Sequence, residues 1–343
     1  MTRLQRPALD YREFPKLGTL GEQITFILEF GIRAPSTHNT QPWLFKRAGN
    51  KVLVLIDVTR KLAHADRSER DMYLSIGCLL KNIEIAGKYF GILEDIHINE
   101  AEGEHIATLT FREPRGQEGE LLSLLLAIDR RYNARGKMLS LSAIAHAQIV
   151  NTEKDDGVNV TFISDSGGMH TLGSLTKIGI EEFHHNQKFR NEFSRWMHGN
   201  FSKTRSGIHG YSVYMPTIIS YILPTLIRFV DLGKYLGKLN EQGIASAPLA
   251  GVICTNDDSK KSWVNAGRTV ESLALSAFSI GASASFFAAP IEDATCREKL
   301  RVLCHTDSLP QFLVVFGVPE KKLPTTLRES VATRTLTHST VNI

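Results

Sequence analysis

Ala34-Pro35-Ser36-Thr37-His38-Asn39-Thr40-Gln41-Pro42-Trp43 follows directly on an apolar, helix-like run from Ile24 to Ile32. Proline at each end stiffens the backbone, so the polar groups of Ser36, Asn39 and Gln41 can be held in fixed directions. A turn of this kind suits a flat ligand that needs hydrogen bonds around its rim. The same ten residues also read as a helix exit followed by a polar loop, and composition alone does not separate the two.

The chain of 343 residues is long enough for two domains or one duplicated domain. It is 42% hydrophobic and 22% charged, ordinary for a soluble globular protein, with a net charge of +4. Lys and Arg are spread along it without a basic block or interleaved aromatics, which speaks against nucleic acid and leaves room for an anionic cofactor. Cys78, Cys254, Cys296 and Cys304 show no C-x-x-C spacing. They imply neither a disulfide framework nor a zinc knuckle, and a reducing cytoplasm is the expected setting. The charged N-terminal residues Arg3, Arg6, Asp10 and Glu13 read against a secretory leader. Residues 211–230 (YSVYMPTIISYILPTLIRFV) are apolar but carry Pro216, Pro224 and Arg228. An interfacial or lid helix pair is expected there, with at most membrane-surface contact and no transmembrane span.

Periodicity predicts an extended arm over 1–20 and a helix over 21–33. Strands are expected at 51–58, 105–111, 158–163, 248–254, 282–289 and 311–316. Helices are expected at 71–90, 118–130 and 264–280, with 168–196 mostly helical. The stretch from about 198 to 245 has no counterpart earlier in the chain. Two helical segments match in spacing: GCLLKNIEIAGKYFG (77–91) and GRTVESLALSAFSIG (267–281). Both run from glycine to glycine, with apolar residues coinciding at Leu80/Val270, Ile83/Leu273, Ile85/Leu275 and Phe90/Ile280. Amphipathic helices often coincide by chance, so the match supports a duplicated unit only together with other signals.

The Ala34–Trp43 string resembles the A-P-S-x-x-N-x-Q-P-W motif of the FMN-dependent nitroreductase family. Three further segments are similar to that family's motifs: Arg131-Tyr132-Asn133-Ala134-Arg135 to its R-x-[S/T/N]-x-R opening, Pro290-Ile291-Glu292 to its P-I-E segment, and Arg328 to its C-terminal phosphate-binding arginine. Tyr132-Asn133 replaces commoner residues, and Arg328 stands alone, preceded by Leu327. Each segment has an ordinary structural reading when taken singly: a basic turn, a strand exit, a tail residue.

The order of the motifs departs from an ordinary nitroreductase subunit, where the arginine motif precedes the A-P-S segment and the site lies between two subunits. Here the first half keeps the A-P-S segment, and the second keeps the arginine motif, P-I-E and Arg328. The resemblance is to the Acg-like fused-repeat branch. It implies an α+β, nitroreductase-like fold of two pseudo-symmetric half-domains in one chain, a monomer mimicking a dimer or a homodimer. The boundaries expected are an arm at 1–20, a first half at 21–117, and a second half at 118–343 with a lid insertion at about 198–245.

The resemblance further implies FMN held by Pro35, Ser36, Asn39, Gln41, Arg131, Asn133, Arg135, Pro290, Glu292 and Arg328. The flavin would carry the chemistry with no catalytic side chain. NADH or NADPH would donate hydride, and a small quinone or nitroaromatic would accept it. The alternative is an FMN storage or sequestration protein whose lid occludes the ring. A metal hydrolase would have to use His64-Ala65-Asp66, His184-His185 or His305-Thr306-Asp307, none of which has metal-motif spacing; no metal is expected.

Overall fold

The computed structural model describes residues 4–100 and 103–336. The first three residues of the expected arm, Arg3 included, and the last seven of the second half lie outside the described residues. In chain order the first elements are helix α1 (Leu20–Gly31), strands β1 (Trp43–Ala48) and β2 (Lys51–Ile56), helix α2 (Arg70–Tyr89), and strands β3 (Leu93–Ile98) and β4 (His105–Phe111). Then come α3 (Leu122–Arg130), β5 (Met138–Leu139), α4 (Ala143–Val150), β6 (Val158–Ile163), α5 (Ser166–His185) and α6 (Gln187–Trp196). The short strands β7 (Met197–His198) and β8 (Ile208–His209) lead to α7 (Thr217–Phe229) and α8 (Gly233–Ala245). The chain continues through β9 (Leu249–Thr255), α9 (Lys260–Ser279) and β10 (Ser283–Phe287). It ends with α10 (Ala289–Glu292), α11 (Ala294–Leu303), β11 (Leu309–Pro319) and α12 (Val331–Arg334).

Two antiparallel sheets organise these elements. The first has the order β1-β2-β4-β3 and the second β6-β9-β11-β10, with β5 added on β11. Numbered within its own sheet, each runs one-two-four-three, and each places its long helix, α2 or α9, between the second and third strands. In the first sheet a tight turn at Gly49 (φ 63°) joins the first two strands. In the second, residues 164–248 occupy that connection and form α5, α6, α7 and α8.

The two long helices cross at the matched glycines. A Cβ on Gly77 would lie 2.0 Å from the Val264 carbonyl oxygen, and one on Gly267 would lie 2.0 Å from that of Leu74. Each glycine thus faces the residue three positions before the other. The contact is reciprocal, as a two-fold relation between the helices requires. Around the crossing a continuous core joins Ile76, Leu79, Leu80 and Ile83 of α2 to Val270, Leu273 and Leu275 of α9 and to both sheets.

The arm is not extended throughout. Tyr11–Glu13 forms a 3-10 turn capped by Asp10, and Phe14 is buried, stacked on Phe90 at 4.1 Å between centroids. Several expected elements are shorter. β2 ends at Ile56 because Asp57 caps a turn, accepting the Thr59 N–H. β10 stops at Phe287 before Pro290 enters a helical turn. The expected 118–130 helix becomes regular only at Leu122. After β11 the chain leaves the second sheet and crosses to the first. There Leu336 N–H donates to the Phe45 carbonyl (2.8 Å), and Thr335 bridges Phe45 in parallel.

Candidate functional site

α1 begins with a capping box, Thr19 and Glu22, and ends at Gly31. The turn that follows is held in unusual backbone geometry. His38 (φ 52°), Asn39 (φ 55°) and Gln41 (φ 54°) are all left-handed without being glycine. Such conformations cost about 1 kcal/mol or more each and persist where the surroundings fix them. Ser36 supplies part of the restraint, its hydroxyl accepting the Gln41 N–H at 2.9 Å.

The amides of Asn39 and Gln41 are used within the protein. Asn39 Nδ2 donates to the carbonyls of Gly207 (3.2 Å) and Leu327 (3.3 Å). Gln41, fully buried, donates from Nε2 to the Arg205 carbonyl (2.9 Å), and its Oε1 accepts the Glu329 N–H (2.8 Å). The loop between β7 and β8 and the segment after β11 are therefore pinned onto the turn.

Beside the turn lies a cluster of buried guanidiniums. Arg131 pairs with Glu271 (Nε to Oε1, 2.8 Å) and donates to the Arg33 carbonyl (3.1 Å). Arg328 donates to the Ala34 carbonyl (3.2 Å) and to the same Arg33 carbonyl (3.4 Å). Arg33 pairs with Asp129 (3.3 Å), to which Arg6 also reaches (3.6 Å). Four arginines thus share two carboxylates, Asp129 and Glu271. Burial, then the neighbouring Arg33, pushes the Arg6 guanidinium down to about 9; burial and the facing Arg6, Arg131 and Arg33 push Arg328 well below its ordinary value. Uncompensated buried cations invite an anion. A cavity of about 260 Å³ adjoins them, lined by Arg6, Arg33, Arg205 and Arg328 among others, with Glu29 and Glu329 also on its wall.

On the other side of the turn, Thr37 donates to Asp71 (2.7 Å) at the start of α2. Carboxylate oxygens of Asp71, Asp66 and Glu292 lie within 4.8 Å of one another, and Arg70 reaches Glu292 at 3.6 Å. Asp66 caps α2, accepting the N–H groups of Asp71 (3.2 Å) and Met72 (3.0 Å). Burial, then the neighbouring carboxylates, pushes Asp66 up to about 8; burial and Asp71 push Glu292 up to about 7; burial raises Asp71. Asp66 and Glu292 thus titrate near neutral pH.

Asn133 and Arg135 lie along β10. Asn133 Oδ1 accepts the Phe286 N–H (3.1 Å), and Ser285 donates to the Ala134 carbonyl (2.8 Å). Arg135 lines a pocket of about 20 Å³ with Ser285 and Phe287. Among the described residues its guanidinium has neither a hydrogen bond nor an ion pair. Pro290 is buried, and Gly179 of α5 lets the backbone of Ala289 approach closely, because a Cβ there would sit 2.4 Å from the Ala289 carbonyl oxygen. His38 packs against the Phe193 ring (4.9 Å) and is pushed down to about 4 by burial and by Arg135.

The structure therefore gathers Pro35, Ser36, Arg131, Glu292 and Arg328 around one turn. It engages Asn39, Gln41 and Asn133 with backbone groups of the protein and leaves Arg135 unpaired. Several buried polar atoms here have no hydrogen-bond partner: His38 Nδ1, Asn39 Oδ1, Arg70 Nε and Nη1, and Glu292 Oε1. Arg6, Arg33, Arg205, Asp66, Arg70 and Asp71 were not marked by any sequence motif. Only Asp66 stood in a segment examined for chemistry, the His64-Ala65-Asp66 run.

No family model matches the chain, and no curated protein matches it. Among solved structures, a nitroreductase with bound FMN from Bacteroides fragilis is 14% identical, over 64% of this chain and 97% of that one, with a TM-score of 0.37. A nitroreductase with bound FMN from Desulfitobacterium hafniense is 12% identical over 60% and 94%, TM-score 0.37. The FMN-dependent nitroreductase NfnB from Mycobacterium smegmatis, in complex with NADPH, is 10% identical over 58% and 88%, TM-score 0.37. Likeness at this level assigns neither a fold family nor an activity to this chain.

Proposed function

We propose that this chain is an FMN-binding oxidoreductase of nitroreductase type, passing reducing equivalents from NADH or NADPH to a small quinone or nitroaromatic. One observation carries the reading. Four segments far apart in sequence meet at one turn: Arg131 and Arg328 both donate to the Arg33 carbonyl, and Thr37 holds Asp71 against Glu292. The polar atoms around that turn that lack a hydrogen-bond partner fit a hydrogen-bonding ligand that the protein's own groups do not replace. When bound, FMN supplies the hydride-accepting ring.

The chain's own contribution is binding, shielding and proton storage. The arginine-lined cavity and the unpaired Arg135 offer forked donors to a phosphate. Arg131 is already committed to Glu271, so its part is to orient the α1 end rather than to meet the anion directly. His38, kept neutral, and Phe193 cover the turn and exclude water. The carboxyl groups of Asp66 and Glu292, pushed up to about 8 and about 7, hold protons beside the P-I-E segment. The shared strand order and the reciprocal glycine crossing support a duplicated unit, with the two halves standing as a dimer would.

A second reading, FMN storage under an occluding lid, draws on a different observation. The loop before β8 is hydrogen-bonded to Asn39 and Gln41 and so closes over the turn. A visible spectrum with anaerobic addition of NADH and NADPH separates the readings. Flavin bands that bleach with nucleotide support the oxidoreductase. Bands that bleach only with dithionite support storage. A colourless protein that cannot be reconstituted with FMN overturns both.

A further inference from the structure

α7 is turned inside out. Toward the protein it buries only Ser220 and Ile227. Toward solvent it presents Ile218 and Phe229, 74% and 75% exposed, together with Ile219, Tyr221, Ile222 and Leu226. At about 100° per residue these six fall within an arc of about 160°. A soluble helix normally does the reverse, and an apolar face of this width marks a surface that meets something else. On α8, Tyr235 and Leu239 are also exposed.

The segment that carries this face is cationic. Residues 198–245 carry Lys203, Arg205, Arg228, Lys234 and Lys238 against only Asp231 and Glu241, so the segment holds three of the chain's four net positive charges. Lys238 is paired with Glu241 at 3.0 Å, whereas Arg228 and Lys234 have no ion pair among the described residues. Arg228 borders the apolar arc beside Tyr221, and Lys234 and Lys238 adjoin Tyr235 and Leu239. Among the described residues no helix is long and apolar enough to cross a membrane. α7, 13 residues long, would reach about 20 Å along its axis, short of the roughly 30 Å hydrocarbon core.

We propose that α7 and the exposed edge of α8 are a peripheral docking surface for an anionic lipid bilayer. The helix lies in the interfacial plane, with Ile218, Ile222 and Phe229 in the acyl boundary and Arg228, Lys234 and Lys238 at the headgroups. A second copy of the chain is the poorer occupant. A two-fold pairing of this patch would bring two equally cationic rims together, with no acidic complement. The inference does not depend on flavin binding.

The test is flotation of the purified full chain with vesicles of phosphatidylcholine alone or mixed with phosphatidylglycerol, with light scattering of the protein by itself. Binding to the mixed vesicles should exceed that to phosphatidylcholine by about tenfold or more and should fall with added salt. Ile218→Asp/Phe229→Asp should abolish it while leaving the thermal midpoint unchanged, because both side chains are already exposed. Arg228→Glu/Lys234→Glu should reduce binding to the level seen with phosphatidylcholine alone. Absence of binding by the unaltered protein overturns the proposal, as does binding indifferent to the apolar substitutions. A dimer that Ile218→Asp/Phe229→Asp dissociates, without vesicle binding, would instead assign the face to a second copy.

Discussion

At Gln41 a left-handed backbone is fixed by hydrogen bonds that reach Ser36, Asn39, the Arg205 carbonyl and the Glu329 N–H. Gln41→Ala leaves the last two part-buried groups without this partner, which should cost about 1–2 kcal/mol in urea unfolding and speed proteolysis within 202–207. A loss below about 0.5 kcal/mol would mean that the loop is held elsewhere. The carboxylates behave differently. Asp66 and Glu292, pushed up to about 8 and about 7, keep protons in the folded chain that the unfolded chain has lost. Their contribution is present below the unfolded value near 4 and is lost as pH rises toward 8. His38, His184 and His209, each pushed down to about 4 chiefly by burial, act in the opposite sense. Their contribution is present above about 6.5 and is lost as pH falls toward 4. From pH 6.5 to about 8 the carboxylates set the trend, with Arg70, Arg297 and Arg67 opposing the shift of Glu292; Arg6, pushed down to about 9, acts in the opposite sense only as pH approaches that value. Stability should therefore decline between pH 6.5 and 8.5, and Asp66→Asn, which can still cap α2, should flatten that decline. Parallel melting curves for the two proteins across this range would remove Asp66 from the account.

α2 and α9 approach as closely as they do because a glycine sits on each at the crossing. A Cβ on Gly267 would meet backbone rather than a flexible side chain, so the helices must part. Gly267→Ala should cost about 3 kcal/mol or more or prevent folding, despite alanine's better helix propensity. Gly119→Ala, which meets open space, is the control and should stay within about 0.5 kcal/mol in the same urea titration. Long helices were legible in the sequence because their apolar period is sustained: α2, α5, α6 and α9 fall where expected. Short α4 offers too few turns to show a period, and β1 was hidden by the motif that runs into it. The matched glycines were legible as spacing, but only the tertiary crossing gives that spacing a cause. In the site, the sequence could mark Asn39 and Gln41 as fixed amides. It could not tell an amide facing a ligand from one pinning a loop, since the donors and acceptors are the same. Of the arginine cluster the resemblance marked Arg131 and Arg328; Arg6 and Arg33 were illegible because they join them only through the packing of the arm and the α1 end.

The ends of the chain tie the halves to each other. The arm reaches the end of α3, where Leu9 N–H donates to Asp129 (3.2 Å). The segment after β11 lies on the first sheet: Arg334 bonds Asp57 (2.5 Å) and the Trp43 carbonyl (2.9 Å), and Val331 N–H donates to Glu29 (3.3 Å). The core is likewise common property, with α2 covered by α9 and α9 by α2. A half in isolation would expose its long helix and its crossing glycine to water and lose these ties. Residues 113–118, by contrast, are all exposed, so a break there removes little. Of two separately expressed fragments, 1–116 should therefore show no sharp thermal transition, because it does not bury enough apolar surface to offset its conformational entropy, whereas 117–343 keeps a core of its own around Leu172, Val252 and Leu313. Expressed together they should co-purify and melt in one transition, as the intact chain does when its core unfolds as a unit. A sharp, independent transition in fragment 1–116 would show that the first half carries its own core. The α2–α9 crossing would then be a docking surface between two domains rather than the centre of one.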